Sequence, residues 1–117
     1  MNAEEIREYC LSFPFTTEGF PFGGETLVFK VYEKMFALLD LQKAESINLK
    51  CNPEKAIILR EEHSEILPGF HMNKKHWNTV LINESLSRDF IYSLIKDSYQ
   101  LVYKSLPKKY LIQNHVD

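Results

Sequence analysis

Residues 26 to 41 read TLVFKVYEKMFALLDL, a run in which the side chains change sides at every step. Leu27, Phe29 and Val31 alternate with Val28, Lys30 and Tyr32. After Glu33 and Lys34, the set Met35, Ala37, Leu39 and Leu41 alternates with Phe36, Leu38 and Asp40. A period of two belongs to a β-strand, because a helix would scatter such a set around its axis. Two such runs in succession predict a hairpin. A lone hairpin is marginal in water, so the rest of the chain has to add strands and a covering layer. The turn carries neither Asn-Gly nor Asp-Gly, which leaves its register open.

A third strand is expected over 45–51, ESINLKC, with Ile47, Leu49 and Cys51 on one face and Ser46, Asn48 and Lys50 on the other. Elsewhere the period is helical. Asn2 and Glu5 make a capping-box-like start to a helix over 3–12 that carries Ile6, Tyr9, Cys10 and Phe13. Asn52-Pro53-Glu54 combines an N-cap residue, a proline at the first helical position and an acid in the first turn, and predicts a helix over 53–62. Ser87 caps a third, whose apolar face is Phe90, Ile91, Leu94, Ile95, Leu101 and Val102, with Ser98 and Ser105 on or near it. It ends near Leu106. Pro107 cannot continue it, and Lys108, Lys109 and a polar tail follow.

Two stretches read as breaks. FPFTTEGFPFGGE, residues 13–25, is loop chemistry with phenylalanine pegs for the core, and Leu67-Pro68-Gly69 interrupts the chain. Extended pieces at 70–72 and 76–82 are expected to pair across Asn73-Lys74-Lys75. The resulting order is α-β-β-β-α-β-β-α, an α+β domain in which helices flank an antiparallel sheet, with one domain spanning 1–117.

Composition narrows the function. Lys and Arg total 14 against 16 Asp and Glu, a formal charge of -2, so any nucleic-acid surface has to be local. Cys10 and Cys51 are too few and too far apart for a disulfide framework or a zinc finger, which fits a reduced cytoplasmic home. MNAEEIREYC has no signal-peptide pattern, and no apolar run approaches the roughly 20 residues of a membrane helix.

Enzyme and metal chemistry find little support in the spacing. His63, His71 and His76 make no HExxH or HxH, and no CxxC lies near them; no nucleophile motif surrounds either cysteine. Glu4-Glu5 and Glu61-Glu62 are sequence neighbours that point to different helix faces, and Gly23-Gly24 precedes a strand instead of opening a helix. The expectation is a non-enzymatic protein with no metal and no cofactor. What remains is PGFHMNKKHWNTVLI, residues 68–82, where Lys74, Lys75, His71 and His76 lie free of acids between Glu65 and Glu84. Its lysines suit phosphate contacts, Asn73 suits the turn, and Trp77 serves as a base-stacking ring or as an anchor of the strand.

HMNKKHWNTV, together with FKVYEKMFALL upstream and SLIKDSYQLVYKSLPKK downstream, resembles the MmcQ/YjbR family of small bacterial proteins. The most specific parts are Pro68-Gly69, the run Asn73 to Trp77, Asp97-Ser98-Tyr99 and Leu106-Pro107-Lys108. The resemblance implies a frataxin-like (CyaY-like) fold and a DNA-binding role through a double-wing motif. Under that role Asn73, Lys74, Lys75 and His76 face DNA, joined by Lys30 and Lys34 from the first hairpin and by Lys108 and Lys109. The rivals are a protein-interaction or small-ligand-binding module using Tyr32, Phe22 or Tyr110, and an enzyme around His71, His76 and Lys74.

Overall fold

The computed structural model describes residues 1–42, 46–83 and 85–113. Among these, four helices, α1 (Ala3–Leu11), α2 (Pro53–Glu62), α3 (Arg88–Lys104) and α4 (Lys108–Gln113), accompany six strands: β1 (Thr16–Gly19), β2 (Thr26–Val31), β3 (Lys34–Asp40), β4 (Ser46–Lys50), β5 (Ile66–Pro68) and β6 (Trp77–Leu81). The strands form one sheet in the order β1-β2-β3-β4-β6-β5, antiparallel at every junction. The predicted start of the third strand at Glu45 lies outside the described residues, as does Glu84.

The helix starts follow the capping chemistry. Asn2 Oδ1 accepts from the Glu5 N–H at 2.9 Å, Asn52 Oδ1 accepts from Glu54 at 3.0 Å, and Ser87 Oγ accepts from Phe90 at 3.1 Å. Each satisfies a backbone donor that the first turn leaves unpaired. The long helix α3 buries Ile91, Leu94, Ile95, Ser98, Tyr99 and Val102 against β3 and β4, while α1 packs at β1 and α2 at β5. Leu101, expected on the apolar face, is 36% exposed instead, and Tyr99 takes the place beside it.

All of this sits on one face of the sheet. The main core joins Ile6 and Cys10 of α1 to Leu27, Phe29, Leu39, Ile47 and Leu49 and to the α3 stripe. Among the described residues the other face is free of helices and carries a small cluster of Val28, Leu38 and Trp77 with Met35 and Met72. Among the described residues no helix is long and apolar enough to cross a membrane.

A β-bulge explains one departure from strict alternation. The register runs Phe29 to Ala37 and then Lys30 to Met35, so Phe36 is an extra residue on β3. Phe36 therefore turns into the main core with Ala37, and Met35 goes to the helix-free face. The bulge also interrupts the ladder toward β4. Ser98, fully buried on α3, fills the gap: its hydroxyl donates to the Phe36 carbonyl at 2.6 Å and accepts from the Lys50 N–H at 2.8 Å.

Three expectations need correction. Thr16–Gly19, read as loop, is the edge strand β1, held by backbone pairing to β2 and not by any apolar alternation. The partner of β6 is Ile66–Pro68, not residues 70–72, because an edge strand tolerates Pro68; residues 69–76 form the connection. Lys108 and Lys109, placed in a polar tail, open the short helix α4, which Tyr110 docks by stacking on Tyr32 with centroids 4.4 Å apart.

Candidate nucleic-acid interface

The 69–76 connection is built residue by residue from its sequence. A Cβ at Gly69 would lie 2.8 Å from both the Trp77 Cβ and the Trp77 carbonyl oxygen, so only glycine lets the two segments close. Asn73 Oδ1 accepts from the backbone of Lys75 at 2.9 Å and of His76 at 3.2 Å, and the Asn73 carbonyl accepts from Trp77 at 3.0 Å. Such an Asx turn offers the chain an internal substitute for ladder bonds. On the helix-free face, Thr79 Oγ1 accepts from the Phe70 N–H at 2.8 Å and donates to Asn48 Oδ1 at 2.6 Å, while Asn48 Nδ2 donates to the Phe70 carbonyl at 3.2 Å. From the other side the Arg60 guanidinium reaches Asn78 Oδ1 at 2.7 Å and the Lys74 carbonyl. The connection is thus tied to both faces of the sheet.

These ties assign the predicted site residues different positions. Lys74 is exposed, but its ammonium donates to the Gly69 carbonyl at 3.0 Å and helps close the loop. Lys75 is exposed, and its ammonium has no protein partner among the described residues. Trp77 is buried in the small cluster with Val28 and Leu38 and presents no free ring for a base. His71 and His76 both lie in the connection and not on paired strands. Among the described residues no group of three or more His, Cys, Asp or Glu side chains is placed to hold a metal ion.

Strand register decides which cations share a surface. Val31 pairs with Lys34, Ala37 with Leu49, and Lys50 with Trp77, so the end of β2, the start of β3, the end of β4 and the start of β6 lie at one end of the sheet. Lys30, Lys34, Lys50, Lys74, Lys75 and His76 therefore leave from that end. The C-terminus of α3 arrives there too, since Lys34 Nζ donates to the Ser105 carbonyl at 3.3 Å, and it brings Lys104, Lys108 and Lys109. Among the described residues acids are sparse at this end: Glu33, Glu54 and Asp97, the last held by Lys55 at 2.7 Å. The opposite end collects Glu25, Asp40 and Glu65, along with α1, whose Glu5 pairs with Arg88 at 2.6 Å. Sequence reasoning passed over Lys50, Lys55 and Lys104, because only the strand order places them with the rest.

Aromatic rings interleave with these charges. Phe15 stacks on Tyr32 at 5.0 Å, Tyr32 on Tyr110 at 4.4 Å, and Lys109 Nζ lies 5.1 Å from the Tyr110 ring centre. Nucleophiles are poorly placed. Burial pushes the Cys10 thiol up to about 12, and burial also raises Cys51, against the pull of Lys55. What the basic end offers is a set of ammonium groups, suited to phosphate oxygens and blind to base identity.

A family model described as YjbR matches residues 11–101. The uncharacterized protein YbdF of Escherichia coli is 39% identical over 107 residues, covering 91% of this chain and 88% of the relative. The uncharacterized protein YjbR of Escherichia coli is 33% identical, covering 97% of this chain and 99% of the relative. Among solved structures, a Deinococcus radiodurans protein with a DUF419 domain superposes with a TM-score of 0.86 at 38% identity, covering 92% of this chain and 83% of the other. A Pseudomonas syringae protein gives a TM-score of 0.73 at 33% identity, covering 86% of this chain and 98% of the other.

Proposed function

The chain belongs to the YjbR family, and from the surface it presents we propose that it is a DNA-binding protein without catalytic activity, gripping the phosphate backbone with the basic end of its sheet. One observation carries this reading: a chain of net charge -2 gathers most of its lysines at a single end. Lys75, Lys30, Lys50, Lys108 and Lys109 make the contacts, His76 lies beside them, and Lys34 and Lys74 serve chiefly as braces. The β2–β3 turn and the 69–76 connection flank this end as the two wings. Helices on one face of an open antiparallel sheet also support a frataxin-like, CyaY-like arrangement. Two unpaired cysteines suit the cytoplasm.

Fluorescence anisotropy with a labelled DNA duplex, from low to moderate salt, tests the reading. The wild type should show a steep fall of log K with log salt. Lys75→Ala, Lys30→Ala and Lys108→Ala should each make that slope shallower by roughly 0.9, the share of one phosphate left without its lysine. Unaltered binding when all three lysines are replaced together, or binding indifferent to salt, refutes it.

A second reading, a protein-interaction or small-ligand-binding module, is favoured by the exposed rings of Phe22 and Phe70.

A further inference from the structure

Phe70 at 66% and Phe22 at 63% are the most exposed large apolar side chains among the described residues, and both rim one groove on the helix-free face. Leaving two aromatic rings in water is a cost, and two loops far apart in sequence bear it at the same place. The groove encloses ≈ 490 Å³ over a floor that includes Leu38 and Asn48, a volume in the range of small-molecule sites.

The Phe70 side of the rim is anchored through its backbone. Phe70 is held through its own N–H by Thr79 and through its own carbonyl by Asn48, and the His71 ring packs against it at 4.1 Å. His71 itself sits at φ 60, a left-handed conformation uncommon in a residue other than glycine. A ligand entering here would meet a Phe70 backbone already held in place, so less of its binding free energy would go into arranging that side of the rim.

Charge decides the kind of ligand. Asp40, at the end of β3 remote from the lysines, is the sole acid among the described lining residues, and no lysine or arginine is among them. Gln42 N–H donates to Asp40 Oδ1 at 3.0 Å, which orients the carboxylate. Aromatic faces are also electron-rich and attract cations. We infer that the groove binds a small organic cation with a flat apolar body, its rings against Phe22 and Phe70 and its ammonium at Asp40. This rests on the ligand-module reading and is independent of the basic end, where an anionic polymer would bind.

The probes are tryptamine, tryptophol and indolepropionate, which share one ring system and differ in carrying an ammonium, a hydroxyl or a carboxylate. Each is titrated into the full chain while backbone amide resonances are followed by NMR. Tryptamine should move the resonances of Leu38, Asn48 and Phe70, with the other two probes weaker by about tenfold or more. Asp40→Asn should erase that preference while leaving residual binding, and Phe70→Ala, at an exposed position that keeps its backbone bonds, should weaken all three. Equal binding of the three probes overturns the cation preference and leaves a ligand groove standing. No shift with any of them overturns both.

Discussion

Ser98→Ala tests the account of how the sheet is held together at its basic end. Among the described residues the hydroxyl is the sole link between the Phe36 carbonyl and the Lys50 N–H across the bulge, and Ser98 is 0% exposed, so water cannot replace it without opening the core. Leaving a buried donor and a buried acceptor unpaired costs about 1–3 kcal/mol each, and alanine's better helix propensity returns roughly 0.5 kcal/mol. The net loss is then about 1.5–5.5 kcal/mol. For a domain of this size that is a fall in Tm of roughly 6–22 °C. Urea unfolding followed by circular dichroism reads it as a lower midpoint at unchanged slope. Ser93→Ala is the control. That hydroxyl bonds the Phe90 carbonyl of its own helix at 2.6 Å in an exposed position, so its loss should stay within about 0.5 kcal/mol. If the two variants unfold at the same midpoint, the bridging role is refuted.

Gly69→Ala should destabilise by roughly 1–3 kcal/mol, because its Cβ would press on Trp77 backbone and Cβ; a neutral urea midpoint would contradict the close approach. A maleimide should modify half-buried Cys51 well before fully buried Cys10, whose thiol is pushed up to about 12, and equal rates by mass spectrometry would refute that difference. Glu18 is held below the usual carboxylate range chiefly by its hydrogen bond from Arg7. A depressed folded pKa adds stability that is complete above the unfolded value and lost as pH falls through the folded one. Stability should therefore decline below about pH 4.5 in the wild type, and less so in Arg7→Gln when urea midpoints are compared across pH; parallel declines would remove the pair from the acid limb.

Local chemistry made much of the fold legible. Asn2, Asn52 and Ser87 announce helix starts because a capping side chain acts on donors only two or three residues away. Alternation announces β4, where burial switches at every residue, whereas β2 and β3 are announced by their apolar runs, since Leu27 to Phe29 and Phe36 to Leu39 are buried on both faces. Thr16–Gly19 gives no such signal: TTEG is an edge strand whose pairing is a backbone matter. Pro68 signals a break to any local reading, yet at an edge it costs no ladder bond. The bulge at Phe36 is invisible for another reason, since its compensating hydroxyl comes from α3, 62 positions away. The candidate interface divides along the same line. The lysine pair at 74 and 75 is legible in one dimension, whereas the company of Lys50 and Lys104 follows from strand order, and the commitment of the Lys74 ammonium to Gly69 from a loop closure.

Net charge is the wrong scale on which to judge such a surface. β3 has seven residues and at about 3.4 Å each spans roughly 20 Å, the distance separating Lys34 from Asp40 along one strand. The Debye length at physiological ionic strength is about 8 Å, so exposed charges at one end are largely screened from those at the other. An approaching polyanion therefore responds to the lysines before it and hardly to the carboxylates behind. Among the described residues, Arg88 and Arg7 at the acidic end are meanwhile paired, with Glu5 and with Glu4 and Glu18. Segregation of this kind would let one small sheet serve both the proposed anion-binding end and, around Asp40, the proposed cation-binding groove. If the lysine end holds DNA as proposed, raising the salt should weaken those contacts steeply, through counterion release from the polymer. A monovalent ligand in the proposed groove releases no such atmosphere and should keep most of its affinity.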